Sequence, residues 1–523
     1  MSRLEARPWM TLALILLLAV GLRLINLSGR TLWYDEAFAV LFAEQGWQAM
    51  VDGTLTEVED GSAADVHPLV YYQGLHYWMA AFGDSPAAVR LFSVLIGVAT
   101  IPVVFWLARD WFGLRAGLVA ALITAVAPFH VQYSQEARMY ALLALILTLA
   151  TWVYWRACRR GAAGYWLAFG VLAGAAMYVQ QLAAMTLLAL GLLPLLARDR
   201  DRIVRTGLAA LVALAIYLPW LLHLPDQLAK LRSYWVQKPN VLHLWLALRS
   251  FVAVNLDFAA VWWLPTFLLA AVFAVFLLYR GTGVLRDPRE DNREPVRWVL
   301  WLAFMPMVFM WVMSYLLQPV FLPRALLPSA VVFYIALAWL FVAAGIPRVI
   351  VAGLALWWAV IVAFGLVTLY RWDTFPMPPF DDADAYLADH LEAGDVIVHG
   401  NKITALPMIY YDRDVSQTYV RDIPGSGSDT LGLPTQQALG LIAKPCMAEA
   451  AGGAPRVWYV TFDRLEDEMI ELVEENPDDA RYDSLRWLRA HYSQSMITSF
   501  NDLDLYLFTG PDADAERAEC EPD

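Results

Sequence analysis

Charge is scarce in this chain: 17% of its 523 residues are charged, 59% are hydrophobic and 23 are Trp. Soluble domains carry about a quarter charged residues, so this balance excludes an ordinary soluble protein and implies a multi-pass membrane protein. What charge there is falls unevenly. From Arg371 onward 30 acidic residues face 11 basic ones, whereas the first 370 residues hold 20 against 26. A water-facing part this acidic lacks the basic stripe that nucleic acid requires, so no nucleic-acid partner is expected.

Other absences narrow the reading further. Cysteine is limited to three residues, Cys158 in an Arg-rich loop and Cys446 and Cys520 near the C-terminus. The last two are able to pair if that part of the chain is extracytoplasmic. The first apolar run follows Arg3 and Arg7 and has no small-residue cleavage pattern after it, which reads as a retained first helix. No solenoid-type repeat is present, and the only flexible-looking linker in the C-terminal part is 424–428.

Apolar runs recur at residues 9–27, 87–108, 114–130, 138–157, 164–180, 182–197, 203–222, 258–279, 297–317, 325–344 and 347–370. About eleven transmembrane helices are therefore expected. Dividing 164–197 into two short helices puts the arginine clusters at 109–115, 156–160, 198–205, 280–297 and 348 on the side of Arg3. By the positive-inside rule that side is cytoplasmic. The N-terminus is then cytoplasmic, while the first loop, the turn at 135–138, the segment 223–257 and everything after Arg371 are extracytoplasmic, at the plasma (inner) membrane.

Inside the first outer loop, Asp35 to Met50 reads as an amphipathic helix and Leu69 to Phe82, between Pro68 and Gly83, as an aromatic one. Both are expected to lie along the interface, as is the segment 228–257. Beyond 370, β-rich runs (396–399, 456–461, 503–508) alternate with helical ones (382–392, 435–443, 466–474), which predicts a small α/β domain over 371–523 after a membrane domain over 1–370.

The chemistry-bearing residues gather in the outer segments. Transfer of a sugar from a lipid phosphate to a hydroxyl needs a carboxylate to take the hydroxyl proton and cations to hold the phosphate as its charge grows. If the outer face carries out such a transfer, Asp35 or Glu36 would supply the carboxylate; neighbours on a helix point about 100° apart, so at most one would face the reacting atoms. The bland alternative is that Asp35 caps the helix and Glu36 complements its dipole. Arg138 and Arg324 are the candidate phosphate ligands, with Lys230 and Arg232 as weaker ones, and each has an ordinary alternative as an interfacial anchor. His67, Tyr71, Tyr72, Glu136 and Tyr140 are candidate substrate contacts. No cofactor is certain. Asp35, Glu36 and His67 have ligand-type side chains for a divalent metal but no diagnostic spacing such as H-E-x-x-H.

The ordered set Tyr34-Asp35-Glu36, His67-Pro68-Leu69-Val70-Tyr71-Tyr72, Ser134 to Tyr140 and Arg324 resembles the GT-C fold membrane glycosyltransferases, in the superfamily of protein O-mannosyltransferases and lipid A aminoarabinose transferases. The resemblance covers residues 9–370, and the C-terminal part is similar to the periplasmic domains of bacterial members. It implies inverting transfer from a polyprenyl-phosphate sugar to a lipid, cell-wall glycan or protein acceptor, with Asp35 as the catalytic base and Arg138 near the donor phosphate. A polytopic lipid or solute transporter is the alternative. Transporters place ionisable groups near the midplane of inverted repeats, whereas here the notable charges cluster at one interface.

Overall fold

The computed structural model describes residues 7–58, 66–230, 236–256, 260–287, 290–423, 430–512, 515 and 520. The candidate Arg232 and the linker 424–428 lie outside the described residues. The first part of the chain is helical: α1 (Pro8–Leu24), α2 (Tyr34–Glu44), α3 (Gly46–Leu55), α4 (Val70–Phe82), α5 (Pro86–Phe112), α6 (Leu114–Val126), α7 (Pro128–Ser134), α8 (Tyr140–Arg160), α9 (Ala163–Val179), α10 (Ala183–Ala197), α11 (Arg200–Leu221), α12 (Leu224–Lys230), α13 (Val241–Val252), α14 (Trp263–Arg286), α15 (Arg293–Leu316), α16 (Leu327–Val342) and α17 (Arg348–Tyr370).

Each expected apolar run coincides with a helix or helix pair, and the chain is a multi-pass membrane protein. Among the described residues, seven helices are long and apolar enough to cross a bilayer, or eight if α6 and α7 count as one bent span. The remaining runs form shorter helices: α1 and α9 have 17 residues and α10 has 15. At 1.5 Å per residue, a helix of that length reaches only about 25 Å, short of a hydrocarbon layer of about 30 Å.

Two expected elements are broken. The run 114–130 bends by 60° between α6 and α7. Pro128 cannot donate a backbone hydrogen bond and crowds the preceding turn, which leaves carbonyls of α6 without helical partners. The buried guanidinium of Arg23 supplies them, with Nη1 2.9 Å from the Ala125 carbonyl and Nη2 3.4 Å from that of Thr124. The expected helix from Asp35 to Met50 is likewise two helices, because Gly46 adopts φ +80 between α2 and α3. Nor is α2 laid along a surface. Glu36 through Ala43 are all buried.

The cover over α2 comes from the C-terminal part, built from α18 (Phe380–His390), β1 (Val396–His399), α19 (Lys402–Tyr411), β2 (Gln417–Tyr419), α20 (Leu433–Leu439), α21 (Met447–Ala451), β3 (Arg456–Phe462), α22 (Asp463–Glu475), α23 (Ser484–His491), β4 (Ser493–Phe500) and β5 (Leu503–Thr509). The sheet order is β2-β1-β3-β5-β4. The first three strands run parallel and the last two pair antiparallel. Strand β3 is buried from Val457 to Phe462, the pattern of a central strand covered on both faces. A disulfide joins Cys446 to Cys520, with Cα atoms 5.7 Å apart.

Helix α19 and the segment after it lie against α2. The Tyr411 hydroxyl accepts from the Leu32 amide at 3.0 Å, and Arg413 pairs with Glu44 at 2.7 Å and Asp84 at 2.8 Å. Nearby, the Thr435 hydroxyl donates to the carbonyl of Gly53 at 2.8 Å, where Gly53 allows α20 to approach α3 closely.

Candidate active site

An arginine that the sequence reading passed over holds the site together. Arg90, one turn into α5, is fully buried and donates through Nε and Nη2 to the two carboxylate oxygens of Glu36 at 2.8 and 2.6 Å. The rest of its guanidinium donates to the carbonyls of Leu27, Arg30 and Thr31 at 3.0, 2.6 and 2.7 Å. Bidentate pairing to a planar carboxylate suits arginine, and the backbone acceptors take up the remaining protons. The signal was available: Arg90 is a lone charge in an apolar run, and an intramembrane charge is a functional candidate by default.

Glu36 also accepts from the amide of Ala137 at 2.9 Å, so one carboxylate joins the start of α2 to the loop between α7 and α8. The same loop is pinned by Gln135, whose Nε2 donates to the carbonyls of Arg23 and Ile25, each at 2.9 Å. Arg30 reaches the Gln135 side-chain oxygen at 3.3 Å. These contacts fix where Arg138 begins. Its Nη1 donates to the backbone carbonyl of Asp35 and to the Tyr72 hydroxyl, both at 3.2 Å.

Asp35, next to Glu36 but turned about 100° around the helix, points to a different neighbour. Its Oδ2 lies 2.6 Å from Nη1 of Arg324, and both side chains keep a little exposure, 13% and 14%. Arg324 lies over the rings of Tyr140 at 5.4 Å and Trp33 at 6.0 Å. Burial by itself would raise the Asp35 carboxyl, but Arg324, then Arg138 and His67, outweigh it and hold the group below the usual carboxylate range. Glu136 has the opposite balance. It is buried, its Oε1 has no hydrogen-bond partner among the described residues, and burial pushes its carboxyl up to about 8 despite the nearby arginines.

Of the residues picked from sequence, Asp35, Arg138, Arg324, Tyr72 and Tyr140 converge on one place, with His67 and Glu136 close enough to act on Asp35 or its partners electrostatically. Tyr71 instead shares a hydrogen bond of 2.9 Å with Ser93. Lys230 donates to the carbonyl of Thr54 at 2.7 Å, within the packing of the first loop. Glu36 is occupied by Arg90 and Ala137, which leaves it a positioning group. Among the described residues no three His, Cys, Asp or Glu side chains are gathered as metal ligands, and the candidate set Asp35, Glu36 and His67 is not such a group.

The chain is similar in sequence and fold to known transferases. Residues 66–223 match a family model described as dolichyl-phosphate-mannose-protein mannosyltransferase. The undecaprenyl phosphate-alpha-4-amino-4-deoxy-L-arabinose arabinosyl transferase of Edwardsiella ictaluri is 28% identical over 236 residues, covering 42% of this chain and 41% of that protein. The chain thus matches less than half the length of that relative. Among solved structures, ArnT from Cupriavidus metallidurans bound to undecaprenyl phosphate superposes with a TM-score of 0.61 at 16% identity, covering 96% of this chain and 98% of that one. The Archaeoglobus fulgidus oligosaccharyltransferase in complex with Zn and sulfate gives 0.57 at 13% identity, covering 95% and 72%. The fold is that of the GT-C membrane glycosyltransferases.

Proposed function

We propose that this protein is an inverting glycosyltransferase that moves a sugar from a polyprenyl-phosphate donor to a hydroxyl acceptor, with Asp35 as the base and Arg324 and Arg138 as the phosphate ligands. The observation that carries the reading is the Asp35–Arg324 pair, a carboxylate and a guanidinium 2.6 Å apart beside a second arginine. A carboxylate so paired is a weak base as it stands. Entry of the donor phosphate draws Arg324 off Asp35, because the phosphate offers it a bidentate acceptor of the same kind. The freed carboxylate then regains basicity.

The acceptor oxygen gives its proton to Asp35 and attacks the sugar C1 from the face opposite the phosphate. The C1–O bond to phosphate breaks, and the polyprenyl phosphate leaves with the bonding pair while Arg324 and Arg138 neutralise its growing charge. A phosphate leaves without a general acid, so one essential carboxylate is enough. The relative in Edwardsiella ictaluri, named for an undecaprenyl-phosphate-linked aminosugar, and the ArnT structure holding undecaprenyl phosphate support a donor of this class. The acceptor is a lipid, a cell-wall glycan or a protein.

The site faces away from the cytoplasm, in a plasma membrane protein with its N-terminus cytoplasmic and residues 371–523 as an extracytoplasmic α/β domain. The distribution of arginines along the chain and the Cys446–Cys520 bridge support that orientation. The test is turnover of labelled polyprenyl-phosphate sugars by the purified protein in nanodiscs. Release of polyprenyl phosphate together with a glycosylated product is expected; full turnover by Asp35→Asn would remove the assigned base.

A further inference from the structure

At the end of the bundle that carries the arginine clusters, a cavity of about 250 Å³ opens between α5, α8 and α9, lined by Trp106, Trp152, Val153, Arg156 and Tyr165. It has no part in the chemistry described above. The Trp106 and Trp152 rings stack with centroids 6.4 Å apart, and Trp9 from the start of α1 closes on Trp106 at 5.5 Å. All the wall residues sit in the last turns of α5 and α8 or the first turn of α9, where apolar helices leave the hydrocarbon layer and Trp and Tyr rings settle at headgroup level.

The charges around this cavity are unequal. Asp110 is fully engaged: it accepts from Arg156 at 2.6 and 3.1 Å and from the Trp152 indole at 2.9 Å. Arg109 lies over the Trp106 ring at 5.1 Å, and Arg160 donates to the Tyr165 hydroxyl at 3.0 Å. Both are exposed, and among the described residues neither has a carboxylate within ion-pair distance. Arg159 is set apart, over the Trp155 ring and paired with Glu294 at 3.2 Å. The result is a pocket with apolar aromatic walls, two of whose rings, Trp106 and Tyr165, each carry an arginine. A free anion would find the charge but leave the aromatic walls empty; a zwitterionic lipid would fill the walls but bring its own cation to these arginines.

We propose that this cavity binds the headgroup of an anionic phospholipid, with its phosphate between Arg109 and Arg160 and its glycerol region against Trp106 and Trp152. Basic pockets between membrane helices favour such headgroups, and each arginine near the surface contributes about a fivefold preference. The experiment compares wild type, the double variant Arg109→Gln/Arg160→Gln and the control Arg348→Gln at an exposed arginine elsewhere. Each is purified and examined by native mass spectrometry for retained lipid, then by thermal unfolding with added phosphatidylglycerol, phosphatidylcholine or inorganic phosphate. Wild type and control should retain phosphatidylglycerol and be stabilised by it above phosphatidylcholine, while the double variant retains at least about tenfold less. Equal retention by the double variant, no preference over phosphatidylcholine, or the same stabilisation by inorganic phosphate would each overturn the proposal.

Discussion

The carboxylate of Asp35 and the guanidinium of Arg324 meet at 2.6 Å although 289 positions separate them in the chain. The first opens a helix of the first loop and the second precedes a late span, so only the closed bundle brings them together. Replacing Asp35 by Asn keeps the shape but removes the proton acceptor. We expect transfer to fall by about 10²- to 10⁴-fold with membrane insertion unchanged, measured with labelled polyprenyl-phosphate sugars.

Arg138 and Arg324 should separate kinetically. Arg138 stays beside the donor phosphate throughout, so Arg138→Ala is expected to raise the donor KM, with kcat/KM falling about 10- to 100-fold for the loss of a charge-assisted contact. Arg324 must also let go of Asp35. Arg324→Lys keeps the charge without the bidentate fork, and should lower kcat more than it raises KM. Equal effects on KM from both variants would contradict a moving Arg324.

Much of this was legible because apolar runs and lone charges leave a plain record. The runs located the membrane helices, and Asp35, Arg138 and Arg324 stood out as charges at their ends. The breaks were less visible. Pro128 and Gly46 are in the sequence, but whether a proline bends a span or merely begins a helix depends on whether something distant, here Arg23, takes up the freed carbonyls. Strands β2 and β4 went unseen for a related reason: β2 is three residues long and β4 alternates exposed with half-buried positions, so neither makes an apolar run. The burial of α2 is a tertiary fact, set by α19 from a part of the chain more than 350 residues away.

The pair of Arg90 and Glu36 predicts a stability effect distinct from catalysis. Arg90→Leu leaves the Glu36 carboxylate buried without its partner, which costs about 3–5 kcal/mol. Removing both charges in Arg90→Leu/Glu36→Leu should recover part of that loss, since a buried pair replaced by apolar groups is often near neutral. Thermal unfolding of the single and double variants in nanodiscs measures it; an additive double variant would count against a direct pair.

Glu136 predicts a pH dependence. Its carboxyl is pushed from an ordinary 4.5 up to about 8 by burial, so the folded protein holds a proton that the unfolded chain releases between those values. Stability contributed by this group is present below about 4.5 and is lost as pH rises toward 8, at up to about 1.4 kcal/mol per pH unit. Glu136→Gln cannot titrate and should flatten that slope, leaving the variant more stable than wild type above pH 8. Thermal midpoints of both proteins between pH 5 and 9 check the sign.

The contact between Tyr411 and Leu32 gives the C-terminal part a direct hold on the site. The Leu32 amide lies three residues before Asp35 and donates to the Tyr411 hydroxyl at 3.0 Å, in a strap whose neighbouring carbonyls are held by Arg90. Tyr411→Phe keeps the ring and removes the acceptor, leaving a buried amide unsatisfied at a cost of about 1–3 kcal/mol. The chain can relieve that cost only by shifting the strap, and the strap sets where α2 begins and therefore where the Asp35 carboxylate points. A shift of about 1 Å is enough to lose on the order of 100-fold in rate when a base must meet a hydroxyl in line with a leaving group. Tyr411→Phe should therefore lower kcat more than it raises the donor KM, because Gln135 ties the Arg138 loop to the carbonyls of Arg23 and Ile25 as well, and only the Glu36–Ala137 and Arg138–Asp35 contacts follow the strap. If Tyr411→Phe turned over at the wild-type rate, the C-terminal part would be covering α2 without positioning Asp35.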